Sequence, residues 1–138
     1  MVDEAKLDQM LSSLRRYALV LQTLARVPRT EFLGNPDKIG NAKYHFVIAI
    51  ECCIDIANHI IASEGYRFPK GNADSFVVLT EEGILGAESV DAWRAMAQFR
   101  NRLVHLYWDV DDERVHEYLQ DSLSDLDRFI ESVARSRW

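Results

Sequence analysis

The sequence predicts an all-α protein, an up-and-down bundle of about five helices that forms a single domain over residues 1–138. Apolar residues recur at spacings of three and four through most of the chain, which is the helical period. Only 6 Gly and 3 Pro are present, so turns are few and long elements are favoured over many short strands. A length of 138 residues with 48% hydrophobic and 28% charged side chains is typical of one globular domain and excludes extensive disorder.

The first two helices have clear end signals. Apolar periodicity predicts a helix from residue 3 to about residue 26, which Pro28 ends. Asn35 followed by Pro36 offers an N-cap and a proline at the first helical position. A long second helix then runs to Glu64, where Gly65 supplies the C-terminal stop.

The second half of the chain predicts three more helices. The segment Ser75–Thr80 has strand propensity, but a lone strand would have no partner, so a helix is preferred. The predicted elements are, in order, a loop over 66–72, a helix from Asn72 or Asp74 to Gly83, a helix from Glu88 to Tyr107 or Trp108, a break over 109–112, and a helix capped by Asp111 that extends to about Val133.

Composition excludes several classes of function. The formal charge is −6, which argues against a protein that envelops nucleic acid, and against DNA binding, but leaves room for a small local phosphate site. Cys52 and Cys53 are neighbours that point about 100° apart on a helix, so a disulfide and a zinc site are both disfavoured. We find no leader pattern and no run of 18 apolar residues, so we expect a cytoplasmic protein without a membrane span.

The fourth predicted helix carries the most informative side chains. On a helical wheel one stripe is apolar and is predicted to face the core, namely Ala92, Met96, Phe99, Leu103 and Leu106. Arg100, Asn101 and His105 lie away from that stripe, beside Val104 and Trp108. An exposed Trp and Val among polar groups suggest a partner surface, such as an interface between two copies of the chain, whereas a plain solvated face is the alternative.

The second predicted helix adds a polar stripe that includes Glu51, Asp55 and His59. The two acids stand four residues apart and repel unless a cation lies between them, and Arg100 or Arg102 could be that cation. Either arginine would then be held in place by Glu51 and Asp55. A solvated charge stripe is an equally good interpretation, and one histidine with two carboxylates on one helix is a poor metal site, so no metal is predicted.

Two segments resemble a known family. Residues 100–107, Arg-Asn-Arg-Leu-Val-His-Leu-Tyr, match the Arg-x4-His-x-Tyr motif of the HEPN superfamily, and residues 49–62 resemble its second helix. The chain looks most like the HepT toxins of prokaryotic toxin–antitoxin systems, and the resemblance covers nearly its whole length. It implies a ribonuclease that needs no metal or cofactor, acts as a homodimer and uses the motif residues of both copies in one cleft.

The resemblance also implies roles for individual residues. His105 would exchange protons with the ribose 2′-hydroxyl or the leaving oxygen, and Arg100 would hold the scissile phosphate, with Arg102 as a further phosphate contact. Asn101 would orient the imidazole or touch the RNA backbone. The products would be a 2′,3′-cyclic phosphate and a 5′-hydroxyl. An MntA-like nucleotidyltransferase antitoxin would silence the toxin by transferring AMP to Tyr107.

Two other classes of function stay open. One is a non-catalytic HEPN protein that binds nucleotides or supports the nucleotidyltransferase, which the acidic charge favours. The other is a structural helical bundle, in which Tyr107 only anchors a turn. Geometry raises a further requirement, because Arg100 and His105 lie about 140° apart on a straight helix and one chain supplies only one such histidine. Dimerisation would bring two copies of His105 together.

Overall fold

The structure, a computed structural model, describes residues 1–136 and 138. Within them the chain forms seven α-helices and two short 3₁₀ segments, so the predicted all-α bundle is confirmed. The α-helices are, in order, α1 (Glu4–Ala25), α2 (Arg29–Leu33), α3 (Pro36–Glu64), α4 (Asn72–Glu81), α5 (Val90–His105), α6 (Asp112–Asp121) and α7 (Leu123–Arg135), and the 3₁₀ segments are Ala87–Ser89 and Tyr107–Asp109.

The end signals of α3 are confirmed. The Asn35 side chain accepts hydrogen bonds from the backbone N–H groups of Asp37 and Lys38 at 3.1 and 3.2 Å, and Pro36 opens the helix. Gly65 has a φ of 71°, a left-handed conformation in which a Cβ atom is strained. The predicted Asp111 cap of α6 is also present and accepts from the Glu113 N–H at 3.0 Å.

The predicted number of helices is wrong, because two elements were not foreseen. Residues 29–33 between Pro28 and Gly34 form the short helix α2 rather than a break, and the side chain of Phe32 in this helix is fully buried. The last predicted helix is two helices, since the chain bends at Ser122. The bend lets α6 pack against α1, α2 and α3 while α7 packs along α1.

Helix α3 is the centre of the bundle. Eleven of its residues are buried, and α1, α4, α5 and α6 all pack against it. Length and apolarity alone would allow this helix to cross a membrane, but half of its most apolar window is buried inside the protein, as in a core helix. Burial of so many apolar side chains on one element is what holds the other helices in place.

Aromatic packing fixes the position of α5. Phe99 stacks on Tyr118 of α6 with ring centroids 3.8 Å apart, and Phe46 of α3 meets both rings edge-on. In the first turn of α5, Trp93 is buried and donates its indole N–H to the Asp125 carbonyl at 3.0 Å. Helix α5 is therefore anchored along its length, while its last turn extends beyond these contacts.

Candidate functional site

Helix α5 ends at His105, two or three residues earlier than predicted. Leu106 leaves the helical region with φ −133° and ψ 40°, and Tyr107–Asp109 form a 3₁₀ segment. We call residues 106–111, which join α5 to α6, the connector. The prediction of a helix through Tyr107 or Trp108 is wrong because no glycine or proline signals this change of direction.

Arg100 is held by Glu51 across the α3–α5 interface. Its Nε and Nη2 atoms lie 3.1 and 2.6 Å from the same Glu51 oxygen, Oε1, and Nη1 donates to Asn101 Oδ1 at 3.0 Å. The side chain of Arg100 is 18% exposed, so these contacts fix it firmly. Of the two arginines considered from sequence, Arg100 is therefore the one that meets the acid of α3.

The Arg100 guanidinium retains donors for a ligand. A guanidinium carries five N–H groups, and the contacts with Glu51 and Asn101 use three of them. Glu51 takes the edge formed by Nε and Nη2, so one hydrogen remains on each terminal nitrogen. Two such hydrogens suit the two oxygens of a phosphate.

Asp55 lies near this pair but forms no hydrogen bond with Arg100 among the described residues. Partial burial raises the pKa of the Asp55 carboxyl, and the charge of Glu51 raises it further, while Arg100 opposes both effects. Glu51, Asp55 and Arg100 together carry one net negative charge when both acids are ionised. The arginine is thus positioned, but an anionic ligand meets an environment that is not basic overall.

His105 is the last residue of α5 and is exposed. No hydrogen bond joins Asn101 to His105 in the described part of the chain; the Asn101 side-chain oxygen instead accepts from Arg100. Arg102, one turn before His105, is 54% exposed and forms an ion pair with Asp109 of the connector at 3.2 Å. Among the described residues, the contacts of Arg100 are with Glu51 and Asn101, and none of them is with His105.

The residues next to His105 in the chain carry exposed apolar side chains. Tyr107 and Trp108 are 66% and 70% exposed and meet edge-on with ring centroids 5.3 Å apart. Val104 and Leu106 are exposed as well. The prediction that Leu106 belongs to the core is wrong, because the helical wheel no longer applies once the backbone leaves the helix at that residue.

The remaining predicted residues lie away from this surface. His59 is half-buried, and its Nε2 atom is enclosed without a hydrogen-bond partner among the described residues, so it is not a simple surface histidine. Cys53 is buried, and Cys52 donates to the Met10 carbonyl. Burial raises the pKa of the Cys52 thiol to about 11, so it is a poor nucleophile.

The sequence did not indicate Asp109 as a partner for Arg102. Residues 109–112, which include Asp109, were interpreted only as a break between helices. The signal that could have indicated the pair is the spacing, since Asp109 follows Arg102 by seven residues at the end of a helix. Within residues 1–136 and 138 no three His, Cys, Asp or Glu side chains are grouped closely enough to hold a metal ion.

The fold and this surface define an all-α helical bundle that carries the sequence pattern Arg-x4-His-x-Tyr at the end of α5 and in the connector. A family model, ribonuclease HepT-like, matches residues 8–133. The chain belongs to the ribonuclease HepT-like family, which confirms the resemblance found in the sequence.

Individual relatives agree with this assignment. The mRNA nuclease HepT of Shewanella oneidensis is 32% identical over 83 residues, which are 60% of this chain and 62% of that protein. A putative RNase of Archaeoglobus fulgidus is 26% identical over 87% of this chain and 89% of its own length. The chain thus spans less than two thirds of the first of these relatives.

Solved structures share the fold. A tri-AMPylated HEPN toxin of Shewanella oneidensis, in complex with an MNT antitoxin, superimposes with a TM-score of 0.87 at 24% identity over 99% of this chain and all of that one. A cytosolic protein of unknown function from Bacillus subtilis, YutE, gives a TM-score of 0.82 at 18% identity over 96% of this chain and 89% of its own.

Proposed function

We propose that the protein is the toxin of a toxin–antitoxin system, a cytoplasmic endoribonuclease formed by one domain over residues 1–138. Family membership and the nuclease relative support the class of activity. The observation that carries the proposal is the Arg100 guanidinium, which Glu51 holds while two of its N–H groups remain for a phosphate. His105 lies exposed five residues further along the same helix.

The proposed reaction is an internal phosphoryl transfer that needs no metal. The ribose 2′-oxygen attacks phosphorus and loses its proton to a base, while the bond from phosphorus to the 5′-oxygen breaks and that oxygen gains a proton. A histidine suits either proton transfer near neutral pH. Arginine stabilises the charge that builds on the phosphate oxygens. The products are a 2′,3′-cyclic phosphate and a 5′-hydroxyl.

A homodimer completes the site in this proposal. One chain supplies a single motif histidine, and its Arg100 and His105 diverge, whereas the reaction benefits from two proton-transfer groups. The exposed apolar side chains beside His105, above all Val104 and Trp108, provide a surface that a second copy can cover. Two copies of His105 would then face one cleft that admits an RNA strand.

Tyr107 is the proposed point of regulation by an MntA-like nucleotidyltransferase antitoxin. The tyrosine side chain is 66% exposed and lies two residues beyond His105, so a modifying enzyme can reach it. An AMP group on its oxygen would add bulk and negative charge beside the cleft. The structural relative that is described as AMPylated and bound to an antitoxin supports this proposal.

The test is cleavage of total RNA by the purified protein in excess EDTA, with His105→Ala beside the wild type. We expect cleavage by wild type alone, and His116→Ala, which removes an imidazole from α6 instead, serves as the matched control. Cutting by His105→Ala at the wild-type rate would contradict the assignment. Loss of cutting in EDTA that returns with Mg²⁺ would contradict metal independence.

The second candidate is a non-catalytic HEPN protein that binds nucleotides or supports a nucleotidyltransferase. The net charge of −6 favours it. It predicts tight binding of mononucleotides in calorimetry with no cleavage of RNA. The intact mass of the same sample separates this outcome from a toxin that is silenced by AMP on Tyr107.

A further inference from the structure

The ion pair between Arg102 and Asp109 is the feature of the candidate site that the reaction does not explain. It joins the last turn of α5 to the connector through one hydrogen bond of 3.2 Å from Nη2 to Oδ2. The side chains are 54% and 64% exposed. A single, solvent-exposed contact of this kind is weak and exchanges readily.

Arg102 is the exposed cation on the helix turn next to His105. The two residues stand three apart on α5, so their side chains are neighbours on adjacent turns. Arg100 is tied by three hydrogen bonds and is largely buried, whereas Arg102 has one and is exposed. An RNA phosphate next to the one at His105 would therefore meet the Arg102 guanidinium first.

The surroundings leave Asp109 as the anion that such a phosphate must displace. Arg102 and Asp109 line an open groove of about 500 Å³ between α5, the connector and α6. The other acids of the groove are already engaged, since Glu117 pairs with Arg114, Glu113 pairs with Arg29 and Asp111 caps α6. A carboxylate and a phosphodiester are both anionic acceptors for a guanidinium, so they compete for it.

We propose that Asp109 sets the affinity of the site for RNA: its carboxylate occupies Arg102 in the free protein, and a phosphodiester of the bound strand displaces it. This inference rests on the proposed ribonuclease function and adds a residue to it. Each binding event then breaks an ion pair before it forms one. RNA that has no phosphate at this position gains no binding free energy from Arg102.

The exchange has two measurable consequences. Asp109→Asn frees Arg102, so the dissociation constant for RNA falls about two- to fivefold, the value of one exposed ion pair. Arg102 contacts the same phosphate in the wild type and in Asp109→Asn, so both proteins release the same number of counterions from the RNA. Arg102→Gln loses that contact, so its plot of log K against log salt becomes shallower by about 0.7, whereas Asp109→Asn keeps the wild-type slope.

The experiment measures fluorescence anisotropy of a labelled, single-stranded 2′-O-methyl RNA 12-mer, which lacks the 2′-hydroxyl and cannot be cleaved, between 50 and 200 mM salt. The proteins are wild type, Asp109→Asn, Arg102→Gln and the double variant. Asp112→Asn is the matched control, because it removes an acid three residues away whose partner is Lys43 at 3.1 Å. Circular dichroism verifies that each variant is folded.

We expect tighter binding by Asp109→Asn with an unchanged salt slope, and a shallower slope for Arg102→Gln. Asp112→Asn should have a smaller effect, and Asp109→Asn should have none once Arg102 is Gln. An equal gain in the Arg102→Gln background overturns the inference, because general charge repulsion then explains it. Weaker binding by Asp109→Asn also overturns it. Wild-type protein that neither binds this RNA nor cleaves unmodified RNA overturns the proposed function itself, whereas RNA binding that ignores Asp109 overturns only this inference.

Discussion

Removal of the Glu51 carboxylate tests whether Arg100 is a positioned group. Glu51→Ala deletes the acceptor of two hydrogen bonds, of 3.1 and 2.6 Å, from an arginine that is 18% exposed. Hydrogen bonds to charged groups contribute about 1.5–3 kcal/mol, and the 40% exposure of Glu51 places this pair at the lower end, about 1.5 kcal/mol. That free energy corresponds to about a tenfold lower kcat if Arg100 acts only when it is held in place.

The assay is steady-state cleavage of a fluorescent RNA oligonucleotide, because it separates kcat from KM. We expect kcat to fall about tenfold in Glu51→Ala while KM stays level or falls, since an acid has been removed near an anionic substrate. Glu51→Gln keeps an oxygen acceptor and should recover part of the loss. Glu64→Gln, about 20 Å further along the same helix, controls for the change in net charge.

A specific result would refute this reasoning. If Glu51→Ala kept the wild-type kcat and only lowered KM, Glu51 would act through its charge and not by positioning Arg100. Thermal unfolding must show that the variant is folded, and a stability loss well beyond about 1.5 kcal/mol would mean that Glu51 supports the helix interface more than the arginine.

Three further predictions concern stability and reactivity. Trp93→Phe removes the indole donor to the Asp125 carbonyl and creates a small cavity, so urea unfolding should show a loss of about 2–4 kcal/mol, and a loss below 1 kcal/mol would contradict the role of that hydrogen bond. Hydrogen bonds from Arg67 and a backbone N–H lower the pKa of Asp74 to about 2, so Asp74→Asn should lower Tm by about 2–4 °C at pH 7. Because a lowered pKa stabilises the fold above the unfolded value near 4, this difference should shrink as the pH falls from 4 to 2; a difference that persists below pH 2 would contradict it. The pKa of Cys52, raised to about 11, predicts alkylation by iodoacetamide at pH 8 on the order of a hundredfold slower than that of free cysteine, with rapid reaction once urea unfolds the chain.

Local chemistry made part of the fold predictable. The caps at Asn35 and Asp111 and the left-handed Gly65 are short-range signals: the two caps begin α3 and α6 where expected, and Gly65 ends α3. The bend at Ser122 is different, since its side chain makes no cap and the apolar period continues through it. Such a bend arises from what α6 and α7 pack against, which a single sequence does not reveal.

In the candidate site, too, local spacing was predictable from the sequence and long-range packing was not. Spacing alone indicated that Arg100 and His105 diverge, and the acid–arginine contact across α3 and α5 was one of two alternatives. The burial of Trp93 was missed, because the wheel places it on the same side as Arg100. Residues around Asp125 of α7 cover the Trp93 side of α5 near the start of the helix only. The same face of α5 is therefore buried in its first half and exposed in its last turn.

The connector is also held in the folded structure by fewer contacts than the helices are. Its backbone is held by a few hydrogen bonds, such as Asp109 N–H to the Leu106 carbonyl at 2.8 Å, and the side chains of Leu106, Tyr107 and Trp108 bury little surface. Segments of this kind open locally at a small fraction of the free energy of global unfolding, so their amide hydrogens exchange early. Amide exchange should therefore be fast over residues 107–109 and slow through α3. A tyrosine on such a segment can be drawn into the active site of another enzyme while the bundle beneath it stays folded.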